Sequence, residues 1–157
     1  MFLDAPWLAP LLAGLFFIAL WTGIAYAISF HIGWPDFARH YRAAEPFAGV
    51  RVHIRHVQFG RRLLAGGVNN AINIGVNAQG IEMRMVFLFR INCPNLYIPW
   101  PDIHVSRGKS WFMHYVEFEF AKVPGSSMRI FGKAAKRIQD AAGMAWPERV
   151  AADPIRR

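Results

Sequence analysis

Few residues in this chain have both the type and the spacing for chemistry. His53 and His56 are three apart. On a strand such residues face opposite sides, so they cannot share one metal ion unless a bulge intervenes. Glu117 and Glu119 are two apart and share one strand face, where pairing with a cross-strand Arg or Lys is the plainer use of a carboxylate than acid–base work. Asp102 is the third carboxylate with that potential. Cys93 lies in a turn beside Pro94 with no histidine nearby in sequence to make it a thiolate nucleophile. As the single cysteine it makes no intrachain disulfide, and zinc sites of two or four cysteines are excluded. Gly66-Gly67 lacks the Lys-Ser/Thr that completes a phosphate-binding loop. The expectation is a protein with no catalytic site, no metal site and no cofactor, hence not an enzyme.

What would position any such group is set by residues 7–30, WLAPLLAGLFFIALWTGIAYAISF, which contain no Asp, Glu, Lys, Arg or His. A helix of that length spans roughly 36 Å, against a hydrocarbon core of about 30 Å. Three other readings compete with a membrane span. A buried core helix is normally shorter and carries a polar face. A cleaved signal peptide is suggested by Ala25-Tyr26-Ala27, but no Lys or Arg precedes the apolar run, which also exceeds the usual length of about 7–15 residues. An interfacial helix needs a charged face that is absent here. A retained, single-pass helical span is expected. Gly14 and Gly23 would let another helix approach it closely. His31, at its end, has the position of a pigment or haem ligand, against the plainer reading of an interfacial histidine.

All 18 Lys and Arg lie after the span, and none before it. Cationic flanks stay cytoplasmic. Residues 1–6 are therefore expected outside the cell and residues 31–157 in the cytoplasm. The net charge of +8 would suit anionic lipid headgroups, nucleic acid or an acidic protein face. A domain tethered beside an anionic leaflet favours lipid over nucleic acid.

Residues 31–49 read as a juxtamembrane connector. Pro35 and Asp36 suit the first turn of a helix, and Phe37 and Tyr41 share a face beside Arg39, His40 and Arg42. That pattern fits an amphipathic helix lying on the membrane, or equally a linker helix packed on the domain. Trp34, Phe37, Arg39, Tyr41 and Arg42, with Arg61 and Arg62 further on, are the candidate lipid-contacting residues. From residue 50 the period alternates. Strands are expected at 50–54, 72–76, 81–89, 96–98, 103–105, 111–120 and 128–131. Turns are expected at Gly60-Arg61-Arg62, Gly66-Gly67, Asn69-Asn70, 77–80 and 107–110. Residues 132–142 form an amphipathic helix closed by Gly143, and 144–157 read as an irregular tail.

Two segments carry a resemblance. Asn77-Ala78-Gln79-Gly80-Ile81, an apolar strand, and then Tyr97-Ile98-Pro99-Trp100-Pro101-Asp102-Ile103 resemble bacterial membrane-anchored pleckstrin-homology-like (PH-like) proteins. There a Gly turn precedes a strand and an Ile-Pro-Trp-x-x-Ile segment follows it. The stretch from Gly33-Trp34 to Ile103 is similar to small bacterial proteins with one N-terminal span. The resemblance implies an α+β chain: one transmembrane helix, then a PH-like antiparallel barrel or sandwich of about six or seven strands over residues 50–143, capped by a C-terminal helix. It implies binding rather than catalysis. Two functions are expected from these observations. The first is an accessory subunit docked on other integral-membrane subunits, for example of a photosynthetic or respiratory complex. The second is a stand-alone module for anionic lipids or a cytoplasmic protein.

Overall fold

The structure, a computed structural model, describes residues 6–54, 56–61, 64–110 and 113–147. It is an α+β fold. Helix α1 (Leu8–His31) has 24 residues and contains no Asp, Glu, Lys or Arg. It is long and apolar enough to cross a membrane, and its apolar stretch is almost wholly exposed. The helix ends at Gly33, whose positive φ of 76° lets the chain turn. Helix α2 (Trp34–Tyr41) follows at once, with Pro35 and Asp36 in its first turn as the sequence predicts.

Nine strands follow: β1 (Val50–His53), β2 (His56–Arg61), β3 (Leu64–Asn69), β4 (Ile72–Val76), β5 (Gly80–Met85), β6 (Leu96–Pro99), β7 (Ile103–Ser110), β8 (Met113–Phe120) and β9 (Ser126–Phe131). They form two antiparallel sheets, one in the order β1-β4-β5-β6 and one in the order β3-β2-β9-β8-β7. Helix α3 (Gly132–Ala142) packs on β1 and β4 of the first sheet and on β8 and β9 of the second. One apolar core joins both sheets with α2 and α3, and includes Ile74, Met83, Leu96, Phe118, Met128 and Ile138.

The two segments of the sequence resemblance interlock. Asn77 Oδ1 accepts hydrogen bonds from the Gln79 and Gly80 N–H groups at 3.0 and 2.9 Å, closing the β4–β5 turn. Tyr97 donates its hydroxyl to the same oxygen at 3.0 Å. Trp100 donates its indole N–H to the Asn77 carbonyl at 3.0 Å. A side chain at Gly80 would run into the Ile98 carbonyl, so glycine is what lets β6 approach.

Several boundaries differ from expectation. The strand expected over 81–89 stops at Met85, opposite Ile72, the first residue of its partner β4; one further bond, from the Val86 N–H to the Ala71 carbonyl at 2.8 Å, closes the ladder. Phe87–Phe89 is instead a 3₁₀ turn. Glu82 of β5 is buried; Phe47 of the connector lies across the neighbouring Gly75 and packs on Tyr97 with ring centroids 6.3 Å apart. Gly60 and Gly66-Gly67, expected as turns, are paired strand positions in the β2–β3 hairpin. The segment 107–110, expected as a turn, belongs to a long β7–β8 ladder that runs to Ser110 opposite Met113. The separate β2–β3 hairpin accounts for the two strands beyond the seven expected. The expected tail also begins inside the fold, since Trp146 is buried against Trp100 and Phe118. Trp111 and residues 148–157 lie outside the described residues.

Candidate functional site

The domain is clasped to one face of α1. Trp21, Ala25 and Ser29 recur every four residues and so lie on a single stripe of the helix. Ala25 and Ser29 are its only buried residues. Trp21 donates its indole N–H to the Leu88 carbonyl at 3.0 Å, and its ring packs on Phe89 at 5.4 Å. Ser29 donates its hydroxyl to the Tyr26 carbonyl at 2.7 Å and accepts from the Asn92 amide at 3.0 Å. Asn92 adopts the left-handed backbone region, with φ 57°, which brings its side chain back towards the helix. Two polar bonds and one ring contact thus fix α1 to the segment between β5 and β6.

Helix α2 closes the other side of this junction. The candidates Trp34, Phe37 and Tyr41 do not face lipid; the structure buries all three in the domain core. Trp34 donates its indole N–H to the Pro94 carbonyl at 2.9 Å. Phe37 meets Phe120 edge to face at 4.9 Å. The Tyr41 hydroxyl accepts the Lys122 backbone N–H at 3.1 Å. The reason is geometric: with the chain turning sharply at Gly33, the apolar face of α2 meets β6 and the core before it can meet a bilayer. Of the two readings of this amphipathic helix, packing on the domain is the observed one. Burial raises the Tyr41 pKa. Lys122 pairs with Asp102 at 2.9 Å, and that hydrogen bond raises the pKa of the exposed ammonium.

The basic candidates separate in the same way. Arg39 and Arg42 are exposed on the solvent side of α2. Together with Arg90 and Asn92 they line an open cleft of about 570 Å³ beside the C-terminal end of α1. Arg39 also pairs with Asp36 at 3.7 Å, and Arg90 bonds Asn95 at 3.3 Å. Arg61 ends β2, in the sheet that does not contain β6, and Arg62 lies outside the described residues. At Gly14 and Gly23 an added Cβ would meet nothing, so both stand on open faces of α1. His31 is exposed at the last residue of α1.

Among the described residues no three His, Cys, Asp or Glu side chains converge as metal ligands would. His53 bonds the Asn73 side chain at 3.3 Å. Glu117 forms the expected cross-strand ion pair, bound to Arg129 at 3.0 Å. Cys93 is buried, and desolvation pushes its thiol pKa up to about 11. The chemistry of such a thiol is suppressed, because burial disfavours the thiolate. Residues of the junction absent from the sequence expectation are Trp21, Ser29, Leu88, Arg90 and Asn92. Their signals were weak ones: an indole in mid-span, and a turn, Asn92-Cys93-Pro94, after an apolar run.

No protein-family model matches this chain, and no curated protein or solved structure matches it significantly.

Proposed function

We propose that this protein is a non-catalytic, single-span membrane protein that presents its helix and its β-rich domain to a larger integral-membrane assembly. In this reading the N-terminus lies outside a bacterial inner membrane and the domain lies in the cytoplasm, because every Lys and Arg follows the span. The single observation that carries it is the clasp of Trp21 and Ser29 to the 88–92 segment. A bare anchor needs no such fixed angle between helix and domain. A docking subunit does, because its two surfaces must meet a partner together. The exposed faces at Gly14 and Gly23 suit close helix contact. The PH-like description of the domain belongs to the same proposal; antiparallel sheets followed by one C-terminal helix support it, and nine strands depart from it.

Purification in a mild detergent, followed by native electrophoresis and mass spectrometry of co-migrating chains, tests the proposal. The expected result is a stable assembly with other membrane proteins at defined stoichiometry. Migration as an isolated species of about the chain's own 17.9 kDa would refute it.

A second reading is supported by the cleft of Arg39, Arg42 and Arg90: recognition of anionic lipid headgroups at the cytoplasmic surface, where each basic residue contributes about 1 kcal/mol. Charge reversal of Arg39 and Arg42 to Glu is expected to abolish enrichment of anionic lipid around the reconstituted chain. Unchanged enrichment would sink this reading.

A further inference from the structure

We infer that the Phe87–Phe89 turn is a second membrane-inserted element, seated among lipid acyl chains beside α1. This rests on the reading of α1 as a span. The observation behind it is the height at which the turn meets the helix. Trp21 bonds Leu88 and packs its ring at a tilt on Phe89, and α1 continues for ten residues beyond Trp21 before it ends at His31. At about 1.5 Å per residue the contact lies about 15 Å above the end of the helix. A bilayer positioned to keep the turn in water would leave only residues 8–20 to cross it. That is about 20 Å of helix for a hydrocarbon core of about 30 Å. Tilting the helix shortens its reach across the bilayer further. The turn therefore lies below the hydrocarbon boundary for any position in which α1 spans.

The turn is built for that environment. Phe87 and Leu88 are 87% and 60% exposed, among the few large apolar side chains outside α1 that the described fold leaves open. The carbonyls of Val86, Phe87 and Leu88 each have a donor: Val86 from the Phe89 N–H at 3.0 Å, Phe87 from the Arg90 N–H at 3.2 Å, and Leu88 from the Trp21 indole. Non-helical backbone at membrane depth is tolerated where partners are supplied to its polar groups, as they are to these three carbonyls. Arg90 then follows, exposed and lining the cleft with Arg39 and Arg42, so its long side chain can reach back to the headgroups.

The test uses the full chain in phosphatidylcholine–phosphatidylglycerol vesicles. A polarity-sensitive fluorophore is attached singly at Leu88→Cys, at Phe87→Cys, at Ile18→Cys on α1 and at Lys133→Cys on α3. Quenching by nitroxides on the acyl chains is compared with quenching by aqueous iodide. The expected result is several-fold stronger acyl-chain than iodide quenching at 87, 88 and 18, and the reverse at 133. Iodide quenching at 87 and 88 with acyl-chain quenching at 18 would overturn the insertion and leave the span intact. Iodide quenching at 18 would overturn the span, and the insertion with it. Shielding of 87 and 88 from both quenchers would show a protein surface covering the turn, and would overturn the lipid assignment. Two exposed labelling positions keep the outcome independent of how either substitution is tolerated.

Discussion

Trp21 and Leu88, 67 residues apart in the chain, are joined by one hydrogen bond of 3.0 Å from an indole N–H to a backbone carbonyl. Because the donor is on the apolar helix and the acceptor on the β-rich domain, this bond determines how far up the helix the domain reaches. Removing the donor while keeping a ring should loosen the turn without unfolding the sheets. Trp21→Phe leaves the Leu88 carbonyl unsatisfied in an apolar setting, at a cost of about 1–3 kcal/mol. Hydrogen exchange in detergent should show faster exchange at residues 86–90 and unchanged protection in β4 and β9. Uniformly faster exchange would show that the contact supports the whole fold instead.

Ser29 and Asn92 form the second bond of the clasp. A double-mutant cycle of Ser29→Ala and Asn92→Gly should give a coupling of about 0.5–1.5 kcal/mol. Glycine is the appropriate replacement at 92, because φ there is 57° and an alanine would add a left-handed penalty of about 1–2 kcal/mol unrelated to the bond. Asn92→Ala should therefore be less stable than Asn92→Gly in thermal denaturation. Equal stability would mean that the backbone at 92 relaxes.

Phe47 occupies the space that a side chain at Gly75 would need. Gly75→Ala should destabilise the protein by about 1–3 kcal/mol through overpacking. If the clash is specific, adding Phe47→Ala should make the alanine at 75 nearly neutral, although Phe47→Ala alone is itself destabilising. Chemical denaturation of the four proteins in detergent measures the cycle, and additive losses would contradict it.

Cys93 predicts both a reactivity and a pH effect. Its thiol is pushed up to about 11 by burial, from an ordinary value of 9.0. The folded state thus holds the proton more tightly than the unfolded state does. The stabilising contribution is fully present below pH 9 and is lost as pH rises from 9 towards 11. At pH 8 the native protein should react with a maleimide far more slowly than the denatured chain. Cys93→Ala should lose less stability than the native sequence between pH 9 and 11. Rapid labelling of the native state would show that the β5–β6 segment opens readily.

Residues 7–30 declare a long apolar helix by composition alone, because a run without a charged or strongly polar face has few other uses. The alternating runs from Val50 onwards declare antiparallel strands, and the stripe of Ala135, Ile138 and Ala142 declares an amphipathic helix, because period and burial are tied by local geometry. The Gly33-Trp34-Pro35-Asp36 boundary was equally legible, since each residue has a conformational preference that acts within one turn. The end of β5 was not legible. Met85 and Phe87 look alike in sequence, and only the position at which β4 runs out separates a strand residue from a turn residue. Nor was the role of α2, because an apolar face at helical spacing serves a bilayer and a protein core equally well. Its burial was decided by the angle at Gly33 and the proximity of β6. The sequence by itself determined the helix, its polarity of charge and the existence of sheets, all of which follow from interactions between near neighbours. Tertiary structure alone decided that Trp21 meets Leu88 and Ser29 meets Asn92. Those contacts join residues more than sixty positions apart, and no local pattern encodes the height at which two separately folded surfaces touch.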